Sequence, residues 1–232
     1  MWQDRGRQRA TVFRRYLIAM QRGSENPVSA RDSLLRAARD VFFEDGYQKA
    51  SLRKIGKLAG TSQTAIYYYF VDKQDVLFTL IDDFTNHFAN KLTTTFASGR
   101  NPREQLANMI SAQLDLLLEN SKDIKILSQD KGHLSEIQQR LIRSKEKTVV
   151  TIYRACLNEW RKAGGLTGID STVAAFTVIG AINWLYQWYS PDGLLSWETV
   201  KKSMVRQLLQ GFGESADGKP AFEEVGVMET AN

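Results

Sequence analysis

At 232 residues, 43% of them hydrophobic and 25% charged, the chain is long enough to bury a substantial core, and its ordinary globular composition argues against disorder over most of its length. No run reaches the ~18 uninterrupted apolar residues of a membrane span, and the first apolar stretch, residues 12–20, is broken by Arg14 and Arg15 and lacks a small-residue cleavage pattern, against a secretory signal. One cysteine, Cys156, excludes an intramolecular disulfide and suits a reducing cytoplasm, and the net charge of +5 is spread unevenly, as a polyanionic partner would require.

Residues 1–28 set six arginines, Arg5, Arg7, Arg9, Arg14, Arg15 and Arg22, against Asp4 and Glu25, and form a basic arm. Val12, Phe13, Tyr16, Leu17 and Met20 share one helical stripe, so the arm is either a solvated extension or a segment that touches DNA phosphates or a minor groove. Ser29 is the expected cap of a first amphipathic helix through Leu34, Leu35, Ala38, Val41 and Phe42, closed by Gly46. Ser51 caps a second helix with Leu52, Ile55 and Ala59 inward, Gly60 permits the turn, and Ser62 or Thr61 caps a third. Asp72, with Asp75 three residues on, opens a long helix to about residue 97. Four more helical segments follow, at 103–120, 122–130, 134–163 and 170–189, and Ser196 caps a last one. The 170–189 segment is apolar almost all round and is expected to be buried on several sides. No alternating strand pattern occurs, and the tail, residues 214–232, reads as disordered. The fold class is therefore all-α, with a 29–75 helical head and a larger 76–213 helical domain.

The chemistry concentrates in residues 51–77. Ile66 and Phe70, four apart, share the inward side of the third helix, while Gln63, Thr64, Tyr67 and Tyr68 project from the other, as a helix that reads the major groove requires. Lys49, Arg53, Lys54, Lys57 and Lys73 face one acid, Asp72, which is a phosphate-binding footprint. Arg53 has the fork geometry for a guanine, and Lys73, at a helix N-terminus, is placed to clamp a phosphate with the helix dipole.

The run AGTSQTAIYYYFVDKQDVL, at this spacing from the first helix, resembles the signature of the TetR family of bacterial transcriptional repressors over residues 30–77. The resemblance implies a helix-turn-helix DNA-binding domain followed by a helical ligand-binding and dimerising domain, and a homodimer on a palindromic double-stranded DNA operator. It places Ser51, Arg53, Gln63, Thr64, Ala65, Tyr67, Tyr68, Tyr69 and Lys73 at DNA-contact positions. Tyr69 stands where many members have histidine, and the position of Thr64 is often small, so the base preference does not carry over. Residues 182–212, INWLYQWYSPDGLLSWETVKKSMVRQLLQGF, resemble the C-terminal ends of family members that answer to acyl-CoA thioesters in fatty-acid, aromatic-acid or sterol breakdown. The implied effector is a small hydrophobic acyl-CoA. The alternatives are a cationic or aromatic drug-like ligand, or a DNA-binding protein without an effector.

In the sensor half Met109, Leu114, Tyr153, Phe176, Trp184 and Trp188 are candidates for lining the ligand pocket. Trp184 and Trp188 serve a dimer interface equally well, together with Val200, Met204 and Leu208. His87 and His133 lie far apart with no ligand cluster, Cys156 has no activating neighbour, and no catalytic triad, phosphate loop or dinucleotide fingerprint occurs. The expectation is therefore a regulator, not an enzyme, with no cofactor and no metal.

Overall fold

The computed structural model describes residues 27–166 and 168–211, all of it helix, turn and loop, with no strand among the described residues. Nearly all of the basic arm, and the tail from residue 214, lie outside that range. The helices are α1 Pro27–Lys49, α2 Leu52–Leu58, α3 Gln63–Tyr69, α4 Lys73–Phe96, α5 Pro102–Glu119, α6 Ser121–Asp130, α7 Glu136–Lys162, α8 Ser171–Asn183, α9 Leu185–Trp188 and α10 Trp197–Gln210.

Two boundaries depart from expectation. The first helix begins at Pro27 instead of after Ser29, because proline lacks only a donor that the first turn does not use. Within α1, Gly46 takes φ 73°, the left-handed value that ends the main run of the helix. The 170–189 segment is not one helix, since α8 and the short α9 meet at Trp184. Other ends follow their caps: Asp72 accepts the Asp75 backbone N–H at 2.8 Å while Asp75 accepts that of Val71 at 2.9 Å, a reciprocal box at the start of α4. Asp170 accepts the N–H groups of Thr172 and Val173 to open α8.

Contacts divide the described residues into two units, one made of residues 27–85 and 120–143, the other of 86–119 and 144–211. The first unit has a core of Leu34, Ala38, Val41, Phe42, Ile55, Ile66, Phe70, Leu77 and Ile81, completed by Ile126, Leu134 and Ile142 from the later segment. Residues 120–143, which the sequence assigns to the second domain, thus pack with the first. Arg39 Nε meets Asp123 at 2.8 Å, with Asp123 only 6% exposed, and Lys125 Nζ donates to the Phe43 carbonyl at 3.1 Å. Asp130 accepts the Tyr47 backbone N–H, and Gln74 Nε2 donates to the His133 carbonyl at 2.7 Å. A buried carboxylate such as Asp123 is tolerated only with such a partner, so these bonds fix α6 on α1.

The second unit is built around Leu106, Met109, Ile110, Leu114, Leu117, Leu157, Ala174, Val178 and Ile182, all buried. Asp115 of α5 accepts both Lys201 Nζ, at 2.6 and 2.8 Å, and the Trp197 indole N–H, and so ties α10 to α5.

Candidate functional site

The site is assembled by two short helices, each opened by a serine cap. Ser51 Oγ accepts the Lys54 N–H and Ser62 Oγ accepts the Ala65 N–H, each at 3.2 Å, satisfying donors that open α2 and α3. Between them Gly60, at φ 68°, closes α2: its N–H reaches the Lys57 carbonyl and that of Thr61 reaches the Gly56 carbonyl at 2.9 Å.

Gly56 escapes a reading of periodicity. A Cβ there would lie 3.1 Å from the Thr61 carbonyl oxygen and 3.3 Å from Ile66 Cδ1, so a bare backbone is what lets α3 close on α2. The available signal was a glycine inside an otherwise regular amphipathic helix.

Ile66, fully buried, and Phe70, 3% exposed, seat α3, leaving Gln63, Thr64 and Tyr67 on the exposed face. The Gln63 amide donates to the Tyr67 hydroxyl at 3.4 Å, aligning both along one outward row. Tyr68 and Tyr69 are half-buried and stand edge to face, their rings 5.0 Å apart, with Tyr69 packed on the head core; Ala65 is likewise half-buried. The three tyrosines therefore differ: Tyr67 faces outward and Tyr69 contributes to packing.

The basic residues separate in the same way. Lys49, Arg53 and Lys57 are exposed around α2 and α3. Lys54 is held by Asp45 at 2.7 Å with Glu44 beyond, and its hydrogen bond to Asp45 raises its pKa. Lys73, expected at a phosphate, directs its ammonium to three carbonyls at the end of α1, those of Tyr47, Ala50 and Gln48, at 2.7, 2.9 and 3.3 Å. Those carbonyls lack helical partners, so the lysine acts there as a C-terminal cap.

The sensor candidates fall into two groups. Met109, Leu114 and Tyr153 are each fully buried in the second unit, whereas Phe176, Trp184 and Trp188 are 58%, 62% and 50% exposed. The expected all-round burial of the 170–189 segment is thus not met within one chain. Of the dimer candidates, Val200 is buried within its own chain, and Met204 and Leu208 are half-buried. One polar residue absent from the sequence expectation joins the core: Gln113 of α5 accepts the Tyr153 hydroxyl at 2.7 Å and donates to the exposed Asn183 of α8 at 3.2 Å. An open cleft of about 310 Å³ runs along α4 and α5, lined by Lys91, Thr95, Asn108, Ser111, Asp115 and Glu119 among others. Cys156 lies in the core, where burial pushes its thiol up to about 12.

Residues 34–80 match the family model described as bacterial regulatory proteins, tetR family, and residues 99–212 match the tetracyclin repressor-like C-terminal domain. A transcriptional regulator of the TetR/AcrR family from Thermobifida fusca is 30% identical, with 78% of this chain and 97% of that one covered at a TM-score of 0.66. The HTH-type transcriptional repressor KstR2 of Mycolicibacterium smegmatis is 23% identical over 84% of this chain and 96% of its own. AibR, solved in complex with isovaleryl coenzyme A and operator DNA, shares the fold at a TM-score of 0.72, with 23% identity over 78% of this chain and 98% of that one. A capped helix-turn-helix head with an outward polar row on α3, followed by a helical unit that matches the family's own C-terminal model, leads to one assignment: this chain belongs to the TetR family of transcriptional regulators.

Proposed function

We propose that the protein is a cytoplasmic, ligand-responsive repressor that binds a palindromic operator as a homodimer and leaves it when a small hydrophobic effector of the acyl-CoA class occupies the second unit. The observation that carries the DNA half of this reading is the row Gln63, Thr64 and Tyr67 on the exposed face of α3, flanked by exposed Arg53, Lys57 and Lys49. Short hydrogen-bonding side chains at the start of the helix suit base edges, and the surrounding cations suit phosphates. Ser51, Ala65, Tyr68 and Tyr69 complete the set of contacts that the family resemblance implies, whereas Lys73, also in that set, is engaged by the carbonyls at the end of α1.

An exposed apolar stripe supports the homodimer. Val173, Phe176, Gly180, Ala181, Trp184 and Trp188 recur at helical spacing on α8 and α9, and Met204 and Leu208 lie half-buried on α10. A tryptophan stripe left to water in the single chain is the kind of surface a second copy covers. A twofold pair of heads then meets the two half-sites of a palindrome.

For the effector, support comes from the relatives and from the charge of the core. AibR was solved with isovaleryl coenzyme A, and the second unit of this chain offers a largely apolar interior around Met109, Leu114 and Tyr153. The buried carboxylates among the described residues, Asp123 and Asp130, both belong to the first unit, which disfavours a cationic drug in the second. The α4–α5 cleft carries Asp115 and Glu119 against Lys91, which disfavours it as a seat for phosphates. Among the described residues no helix is long and apolar enough to cross a membrane, and no group of three or more metal-ligating side chains occurs.

The test is selection of bound sequences from random duplex DNA with the full-length protein, followed by release with acyl-CoA thioesters. Enrichment of an inverted repeat, lost in Tyr67→Ala and Arg53→Ala, is the expected result. No enrichment would remove the head from DNA. Since the effector stabilises the unbound form, operator DNA must weaken effector binding by the same factor.

A further inference from the structure

Arg31, one turn into α1, holds its guanidinium carbon 5.7 Å from the centre of the Phe70 ring, within cation–π range. Phe70 is the residue that closes α3, and it is 3% exposed. The first turn of α1 therefore stands against the C-terminal end of the reading helix, and the chain that precedes Pro27 enters the first unit at that point. Val71, directly after Phe70, is 71% exposed, so the surface beside this entry is open among the described residues. Since α3 spans seven residues, about 10 Å, the entry lies close to the whole row of Gln63, Thr64 and Tyr67.

Residues 1–26, which lie outside the described residues, carry six arginines against Asp4 and Glu25. That surplus of four positive charges is nearly all of the chain's net +5, so the charge is concentrated in the segment that enters beside α3. Within it Arg5, Arg7 and Arg9 alternate, with Gly6 between the first two. Alternate residues of an extended segment project to one side about 6.6 Å apart, and a glycine between two of them lets the backbone come close to whatever they grip. This pattern suits a minor groove, about 6 Å wide and most negative where A·T pairs narrow it, better than the major groove that suits α3. The reach is sufficient. Arg9 and Pro27 are 18 positions apart, which spans about 27 Å even as a helix, whereas half a duplex turn is about 17 Å.

Resting on the DNA-binding reading above, we propose that the run of Arg5, Gly6, Arg7 and Arg9 is a second DNA-reading element, which enters the minor groove flanking each half-site at A·T pairs. The guanidinium groups lie along the groove and the backbone at Gly6 approaches its floor. A G·C pair in this flank would place its N2 amino group in the groove, where it fills space and turns a donor toward arginines that have only donors. Arg14, Arg15 and Arg22, nearer the head, are left for the phosphates between the two grooves. Recognition then extends past the bases under α3, and the flanks are read through the shape of their minor groove.

The experiment is fluorescence anisotropy of the full-length protein on the inverted repeat obtained by selection, with flanks of A·T, inosine·C or G·C pairs, between about 50 and 200 mM salt. Inosine lacks only the N2 amino group of guanine, so an inosine·C pair resembles A·T in the minor groove and G·C in the major groove. Wild type is expected to bind the A·T and inosine·C flanks alike and the G·C flank roughly tenfold more weakly. The R5A/R7A/R9A variant is expected to lose that preference, to bind the A·T-flanked operator roughly tenfold more weakly and to show a salt slope lowered by about 2–3. Base changes inside the half-sites should cost the variant the same factors as wild type, because α3 is untouched. Gly6→Val, which leaves the charge as it is, is expected to weaken the flank preference. Equal binding of all three flanks by wild type overturns the minor-groove assignment, even where the triple variant lowers the slope. Unchanged affinity and slope in the triple variant overturn it too, and leave the arm a passive extension. If selection with wild type enriches no sequence, the DNA-binding reading falls before any variant is compared, and this assignment with it.

Discussion

The ammonium of Lys73 lies 4.3 Å from the centre of the Tyr47 ring and 2.7 Å from the Tyr47 carbonyl oxygen, while the imidazole of His133 stacks on that ring at 4.8 Å. One side chain at the start of α4 therefore holds the end of α1, and the segment after α6 stacks on the same tyrosine. Lys73→Met is expected to destabilise the protein by about 1–3 kcal/mol, since it strips a donor from three carbonyls. Operator affinity should fall with it, but the salt dependence of binding should stay as it is, because a phosphate contact would contribute a slope of about 0.9. A slope lowered by that amount in K73M would return Lys73 to the phosphates.

Lys57 and Lys54 provide a matched pair three residues apart, both exposed, of which Lys54 is held by Asp45 at 2.7 Å. Lys57→Ala is expected to reduce the salt slope of operator binding by about 1, with a uniform loss of affinity across sequences. Lys54→Ala should leave the slope unchanged. Fluorescence anisotropy between about 50 and 200 mM salt separates them, the range over which phosphate contacts tell most.

Gly56 meets the Thr61 carbonyl oxygen across the turn with no room for a branched side chain. Gly56→Val is expected to cost about 1–3 kcal/mol, the range for overpacking, and to abolish operator binding because α3 is displaced. Wild-type affinity in G56V would show that the α2–α3 spacing is not what places the reading face.

Trp184 is the widest exposed ring on the α8–α9 stripe, at 62% exposure. Trp184→Glu puts a charge at the centre of a face that should be apolar on both copies, and sedimentation is expected to show monomers at concentrations where the wild type is dimeric. Thermal stability of the monomeric unit should be nearly unchanged. A W184E protein that stays dimeric would place the interface elsewhere.

The Cys156 thiol, raised to about 12 by burial, is expected to resist iodoacetamide at pH 8 in the native protein and to react once denaturant exposes it. Rapid native alkylation would mean that the core of the second unit opens readily.

Much of the fold was legible because its helices carry their own punctuation. Ser51, Ser62, Asp72, Asp170 and Ser196 all sit at helix starts and accept backbone N–H bonds there. Periodicity also separated Ile66 and Phe70 from Gln63, Thr64 and Tyr67. What a one-dimensional pattern omits is direction and partner. Lys73 sits where a phosphate clamp belongs, yet it reaches back 26 residues in sequence to Tyr47. Lys54 resembles its neighbours until Asp45 claims it. In the sensor half, Tyr153 and Trp184 are both large aromatic residues in apolar helical surroundings, and one is fully buried while the other is mostly exposed. A helix that is apolar all round does not indicate which side its own chain covers. Gln113 was unreadable for the converse reason, as a polar residue whose partners lie 40 and 70 positions away.

The packing of α6 on α1 bears on how regulators of this kind can be recombined. Ile126, Leu134 and Ile142 complete the hydrophobic core of the reading head, although the N-terminal family model stops at residue 80. A chimaera spliced at that point would pair one regulator's α1 with another's α6, and would replace Asp123, Lys125 and Asp130 while retaining Arg39, the Phe43 carbonyl and the Tyr47 N–H that they bind. Grafting a new operator specificity onto this sensor therefore requires two exchanged segments, residues 27–85 and 120–143, moved as one piece.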